Sequence, residues 1–376
     1  MPLRELLSQP FWVVLFLAFT LSLGATPLVR RLALASGALD RPNRRSVHTQ
    51  PVPYLGGLAI GLAVILSLLA TGHAADPLFR GFLAGGLLIL LVGLLDDIFR
   101  MPAWLKFLAQ VAVALVTVLW GGLRITYLKD PFAAGFWHLG WWGTPLTVFW
   151  LVAVMNVINL ADGLDGLAAG ITAIVAGTMF LGAIQSGQSI MAMTGAAALM
   201  GATLGFLPFN FPPARIFMGD AGALFLGFAL ATTAVQGMAK GAAAVALAVP
   251  ALALGVPILD TAFAILRRAR SGRSIGTPDR DHLHHRLLAM GLSQREAVLL
   301  IYMVTGWLGV GAIAISEATL WVGFFIFAFL AVSLVYAAHT FGLLETETSP
   351  GEAPSPRGRR GARAGAGTPP NEQAGL

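Results

Sequence analysis

The chain has 376 residues and no cysteine, which excludes disulfides, thiolate catalysis and cysteine-ligated metals. Apolar residues make up 57% of it and charged residues only 11%, against about a quarter charged in soluble domains, so a water-soluble fold is excluded and the bilayer is the solvent. The formal charge of +6 does not mark a nucleic-acid surface, because the arginines lie in the intervals between apolar runs.

Hydropathy and breaker residues predict eleven helices, at roughly 11–28, 57–72, 79–95, 104–120, 144–160, 164–184, 189–207, 222–238, 241–266, 297–315 and 320–340. The predicted fold is therefore all-α, a polytopic transmembrane helical bundle over residues 1–344, followed by a Gly-, Pro-, Ala- and Arg-rich tail over 345–376 that reads as disordered. The run Phe11 to Leu28 is kept as a span and not a signal peptide, since its basic cluster follows the apolar stretch. Assigning alternate loops to alternate sides puts 19 of the 24 Lys and Arg residues on one side. The positive-inside rule then places the N-terminus outside and the C-terminus in the cytoplasm. Trp137, Trp141 and Trp142, in the outer loop from Gly121 to Gly143, read as an interfacial aromatic belt.

The acids carry the chemistry. Asp96 and Asp97 end the third predicted helix, Asp162 and Asp165 lie in Asn156-x-x-Asn159-x-x-Asp162-Gly-Leu-Asp165-Gly, and Asp220 lies in Met218-Gly-Asp-Ala-Gly222. All five fall on the side assigned to the cytoplasm, although only Lys and Arg were used to assign it. Singly, Asp220 or Asp165 could cap a helix, and Asp96 and Asp97 could be interfacial charges. Together, adjacent carboxylates at a membrane boundary repel unless cations neutralise them. An oxygen-rich site without thiolates favours Mg²⁺, with Mn²⁺ as a substitute. Asn156 and Asp165, nine residues apart on a straight helix, would face opposite ways, so the chain must bend near Gly163 and Gly166 for them to converge.

On the same side lie Arg44, Arg45 and His48, then Lys106, then Asp279-Arg-Asp-His282-Leu-His284-His285-Arg286, all suited to phosphate. A short helix is expected from Pro278 to Gly291, with His282, His285 and Arg286 on one face and His284 on another, and Ser293-x-x-Glu296 as a capping box for the next helix. Zinc at the histidines lacks a fourth ligand at a typical spacing.

These motifs, with Pro-x-Pro-x-x-Gly-Gly after His48 and Gln110 after Lys106, resemble the polyprenyl-phosphate N-acetylhexosamine-1-phosphate transferases of glycosyltransferase family 4, over roughly residues 25 to 310. The His-Leu-His-His form resembles the branch that uses a UDP-N-acetylhexosamine such as UDP-GlcNAc. The resemblance implies transfer of the sugar 1-phosphate to undecaprenyl phosphate with release of UMP, initiating cell-wall or surface-polymer synthesis such as teichoic acid or O-antigen. It implies that Asp220 with Asp162 or Asp165 holds Mg²⁺ and that Asp96 or Asp97 orients or deprotonates the lipid phosphate. It also implies that Lys106, Arg45, His48, Asn156, Asn159, His282, His284, His285 and Arg286 bind substrate. The enzyme would lie in the bacterial plasma membrane with its site facing the cytoplasm, and a homodimer is compatible with the sequence. The alternatives are the phospho-MurNAc-pentapeptide branch, an ion-coupled transporter, which would carry its acids near the bilayer midplane, and a lipid-diphosphate phosphatase.

Overall fold

Where no water is present to pair main-chain groups, apolar segments close their own hydrogen bonds as helices. The computed structural model describes residues 9–41, 50–72, 76–129, 135–237, 249–270 and 283–317, with short pieces of 322–333. Its helices are α1 (Pro10–Ser36), α2 (Gly56–Leu69), α3 (Pro77–Phe99), α4 (Ala103–Gly121), α5 (Gly143–Ala161), α6 (Leu167–Gln185), α7 (Ile190–Asn210), α8 (Gly219–Gly237), α9 (Gly255–Arg270), α10 (Leu283–Ala289) and α11 (Gln294–Glu317). Among the described residues, seven segments are long and apolar enough to cross a membrane: α1, α3, α4, the run Gly140–Ala161 through α5, α6, α7, and most of α11. The chain is a multi-pass membrane protein.

Several expectations change in detail. The first helix runs on past Pro27 to Ser36, so Arg30 and Arg31 sit on helix and not in a loop; its stop is Gly37 in the left-handed region. Helix α2 has 14 residues, about 21 Å at 1.5 Å per residue, short of a bilayer core of about 30 Å. The interval 121–143 is not a bare loop: β3 (Tyr127–Lys129) and β4 (Phe136–His138) pair antiparallel there, with Trp137, Trp141 and Trp142 exposed beside them. A second two-stranded pair, β1 (Leu39–Asp40) with β2 (Val52–Pro53), leads into α2. The expected ninth span begins at residues outside the described ones, as do most of the eleventh and the tail.

Helix α8 is the axis of the bundle. Every residue from Ala221 to Gly237 is buried. It packs chiefly against α3 and α5, with α2 and α7 completing the wall, while α1 lies along α7 on the outside. Small residues permit the close approach: a Cβ on Gly93 would fall 2.3 Å from the Ala221 Cα, and one on Gly57 would fall 2.1 Å from the Gly222 nitrogen. Consecutive helices from α1 to α8 alternate in direction. The C-terminal ends of α3, α5 and α7 therefore meet the N-terminal ends of α2, α4, α6 and α8 at one end of the bundle.

Candidate active site

That end collects the acids. The last turn of α3 carries Asp96 and Asp97, and Arg100 in the left-handed region turns the chain sharply into α4. The turn is closed by the Asp96 carboxylate, whose Oδ1 accepts from the Met101 N–H at 2.8 Å. One turn into α4, the Lys106 ammonium lies 2.7 Å from Asp96 Oδ2 and 2.6 Å from Asp220 Oδ1, and donates to Asn159 Oδ1 at 3.3 Å. All three of its donors are used, so its direction is fixed. Asn159 returns the contact, donating from Nδ2 to Asp220 Oδ1 at 2.5 Å. Deeper by about one helical turn, Asn156 donates to Gln110 Oε1 at 2.6 Å, and Gln110 is fully buried.

The expected bend is present. Helix α5 ends at Ala161, Asp162 is its C-cap, and the chain turns through Gly166 in the left-handed region into α6. Neither Asp165 nor Asp220 caps its own helix. Asp165 Oδ2 accepts from the Ala214 N–H at 2.8 Å, tying the 162–166 turn to the loop that precedes α8. The amides of Asp220 and Ala221 are met by the carboxylate of Asp97, from another helix, at 2.8 and 3.1 Å.

Asp162, just outside the span, takes no hydrogen bond or ion pair from any described residue. Burial, and then the negative charges of Asp220, Asp97 and Asp165, raise its carboxyl to about 8 from an ordinary 3.8. The folded protein thus binds a proton at Asp162 that the unfolded chain releases. The stability this contributes is complete below the ordinary carboxylate range and is lost as pH rises through about 8. Thermal melts in detergent with EDTA are expected to fall from about pH 5 to about pH 8, with Mg²⁺ restoring stability at the upper end. Asp162→Asn should flatten that dependence, and a flat wild-type profile would contradict it.

Five carboxylates gather near a single ammonium, which pairs with Asp96 and Asp220 only, so even with a proton on Asp162 the cluster carries excess negative charge and calls for a further cation. Among the described residues, however, no three His, Asp or Glu side chains converge tightly enough to hold a metal unaided. The expected ligands, Asp220 with Asp162 or Asp165, would therefore hold a metal only with help from outside the protein. Asp220 gives Oδ1 to Lys106 and Asn159, and Asp165 is engaged with Ala214. What remains fits Mg²⁺ in its usual manner, held by one or two carboxylates and completed by substrate phosphates and water.

Other residues brace the site and were not singled out from the sequence. Asn210 Oδ1 accepts from the Gly166 N–H at 3.1 Å while its Nδ2 donates to the Ile216 carbonyl at 2.9 Å, stitching the two acidic loops together. From α11, Tyr302 donates to the Gly166 carbonyl at 2.5 Å and Arg295 to the Pro212 carbonyl at 2.8 Å. An Asn ending an apolar run is a weak local signal; Tyr302 offered none, being more than a hundred residues away. Asp260 accepts from the Leu283 N–H at 2.8 Å and so ties α10 to α9. The Ser293–Glu296 capping box forms as expected. Arg286 is half-buried on α10. Arg45, His48, His282 and the side chains of His284 and His285 lie outside the described residues, as does the start of the helix expected from Pro278.

The pattern has close parallels. A Bacillus subtilis protein named "Probable undecaprenyl-phosphate N-acetylglucosaminyl 1-phosphate transferase" is 40% identical over 325 residues, covering 86% of this chain and 90% of that protein. The chain belongs to glycosyl transferase family 4. The family model matches residues 79–238, which contain every acid of the cluster. A Mycolicibacterium smegmatis decaprenyl-phosphate N-acetylglucosaminephosphotransferase is 39% identical, covering 83% of this chain and 82% of its own. A Yersinia pestis undecaprenyl-phosphate alpha-N-acetylglucosaminyl 1-phosphate transferase is 29% identical, covering 77% and 80%. The braces from α11 lie beyond the stretch that defines family 4 here.

Proposed function

We propose that the protein transfers N-acetylglucosamine 1-phosphate from UDP-GlcNAc to undecaprenyl phosphate, releasing UMP and leaving a lipid-linked diphosphate sugar. The observation that carries this reading is the Lys106 node, one ammonium gripping Asp96, Asp220 and Asn159 within a surplus of carboxylates at one end of a membrane bundle. The names of its relatives support the polyprenyl-phosphate acceptor and the transferred N-acetylglucosamine 1-phosphate, and the His-Leu-His-His motif supports a UDP-linked donor. Gathering the acids at one end, and not at mid-membrane, argues against an ion-coupled carrier. The asymmetry of Lys and Arg supports a cytoplasmic placement for that end.

An oxygen of the lipid phosphate attacks the β-phosphorus of the UDP-sugar. The new P–O bond forms as the bond to the UMP oxygen breaks, and UMP leaves with that electron pair. A phosphate monoester is largely ionised at neutral pH, so the reaction needs alignment and charge neutralisation more than a base. Asp220 and Asp162 would hold Mg²⁺, which supplies neutralisation of the diphosphate oxygens when bound. Asp96 aims Lys106, and Lys106 presents positive charge to the reacting phosphates. Asn159 holds Asp220 in register. Arg45, His48, Asn156, His282, His284, His285 and Arg286 are assigned to substrate by motif.

Purified protein with Mg²⁺ and undecaprenyl phosphate should release UMP from UDP-GlcNAc. UDP-GalNAc and UDP-MurNAc-pentapeptide, run beside it, test the neighbouring branches. Release only from the pentapeptide donor would move the protein to peptidoglycan synthesis, and release from none would end the reading.

A further inference from the structure

Asp96 and Asp97 are adjacent carboxylates with different company. Asp96 faces Lys106 and the start of α4. Asp97 faces the first turn of α8, where both of its oxygens are occupied, Oδ1 by the Asp220 N–H at 2.8 Å and Oδ2 by the Ala221 N–H at 3.1 Å. These are among the amides that a helix start leaves without an internal partner, and a negative charge there is favoured by the helix dipole.

The surroundings are shaped to this contact. Gly219 holds φ at +69°, and a Cβ there would fall 2.6 Å from Asp97 Oδ2, so the carboxylate fills the space a side chain would need. Gly93, one turn earlier on the same face of α3, brings the two backbones together at Ala221, and Gly57 closes on Gly222 from α2. Gly56 and Gly57 also donate their amides to the carbonyls of Phe217 and Met218 at 2.9 and 2.8 Å. The residues on either side of Asp220 are thus clamped from two helices, and Asp97 supplies the polar half of the clamp.

We propose that Asp97 is a positioning residue that fixes Asp220 through the backbone, while Asp96 alone of the pair serves the Lys106 node. The inference rests on the reading that Asp220 holds the divalent cation. An Asn at 97 keeps one acceptor oxygen but turns an NH₂ toward the second amide, donor against donor, so the clamp loosens without emptying the space.

The test is Mn²⁺ binding to the full-length protein in detergent, followed by electron paramagnetic resonance and independent of turnover, with Mg²⁺ titrations of UMP release beside it. Asp97→Asn should weaken Mn²⁺ binding about tenfold and raise the half-saturating Mg²⁺ similarly, the size expected for losing a charge-assisted hydrogen bond. The KM values for both substrates should stay within about twofold of wild type, because uniform substrate binding is untouched. Gly219→Ala presses on the same contact from the α8 side with the carboxylate intact, and it should weaken Mn²⁺ in the same direction. Wild-type Mn²⁺ affinity in either variant overturns the proposal, whatever the rate. Wild-type protein that binds Mn²⁺ yet releases no UMP would count against the proposed reaction and leave the role of Asp97 readable.

Discussion

Asp220→Asn is expected to lower UMP release by about two to three orders of magnitude, the scale seen when one preorganised electrostatic contact to a transition state is removed. The substitution is nearly isosteric, so the effect is electrostatic. Asp220 Oδ1 is the one atom approached by both Lys106 and Asn159. An amide there offers either a neutral oxygen or a donor that opposes the Asn159 NH₂ and the ammonium, and it no longer offers a charged oxygen to a metal. The fold should survive, because Lys106 keeps Asp96 and the α8 amides keep Asp97. The measurement is initial rate at saturating Mg²⁺ together with a detergent melt. Near-wild-type turnover would remove Asp220 from the reaction.

Lys106→Met should do more damage, and to both properties. It strips the counter-ion from Asp96, which is 6% exposed, and from Asp220, which is more open. Deleting one partner of a buried ion pair costs about 3–5 kcal/mol; with Lys106 itself partly solvated, about half that range is the better expectation. The melt should drop by several degrees and UMP release should fall by about 10³-fold or more, beyond rescue by added Mg²⁺. Lys106→Arg should recover stability better than rate, since a planar guanidinium cannot place three donors where a compact ammonium does. A Lys106→Met protein with intact turnover would mean that the node is a structural ion pair only.

Much of this centre was legible in residue order. The acids, Lys106 and the paired asparagines stand at predicted helix ends, and charge is costly in lipid, so their positions carried information before any fold was known. The division of labour between Asp96 and Asp97 was not legible, because neighbours in a sequence look alike until α3 meets α8. Nor could spacing reveal that Asp165, one of the two partners considered for Asp220 at a metal, spends an oxygen on Ala214. Helix ends were misjudged where hydropathy and hydrogen bonding part company: Arg30 and Arg31 end the apolar run but not the helix, which continues to Ser36. Asn210 and Tyr302 act through main-chain groups, and such contacts leave no pattern in side-chain spacing.

Because α8 is enclosed on every side, it meets no lipid. Hydrophobic mismatch acts on segments that touch the acyl chains, tilting them as a bilayer thickens or thins. The exposed face of α1 is placed to take up that adjustment, whereas the head of α8 is clamped by the backbones of α2 and α3. The backbone that carries Asp220 is in this way insulated from the composition of the surrounding membrane.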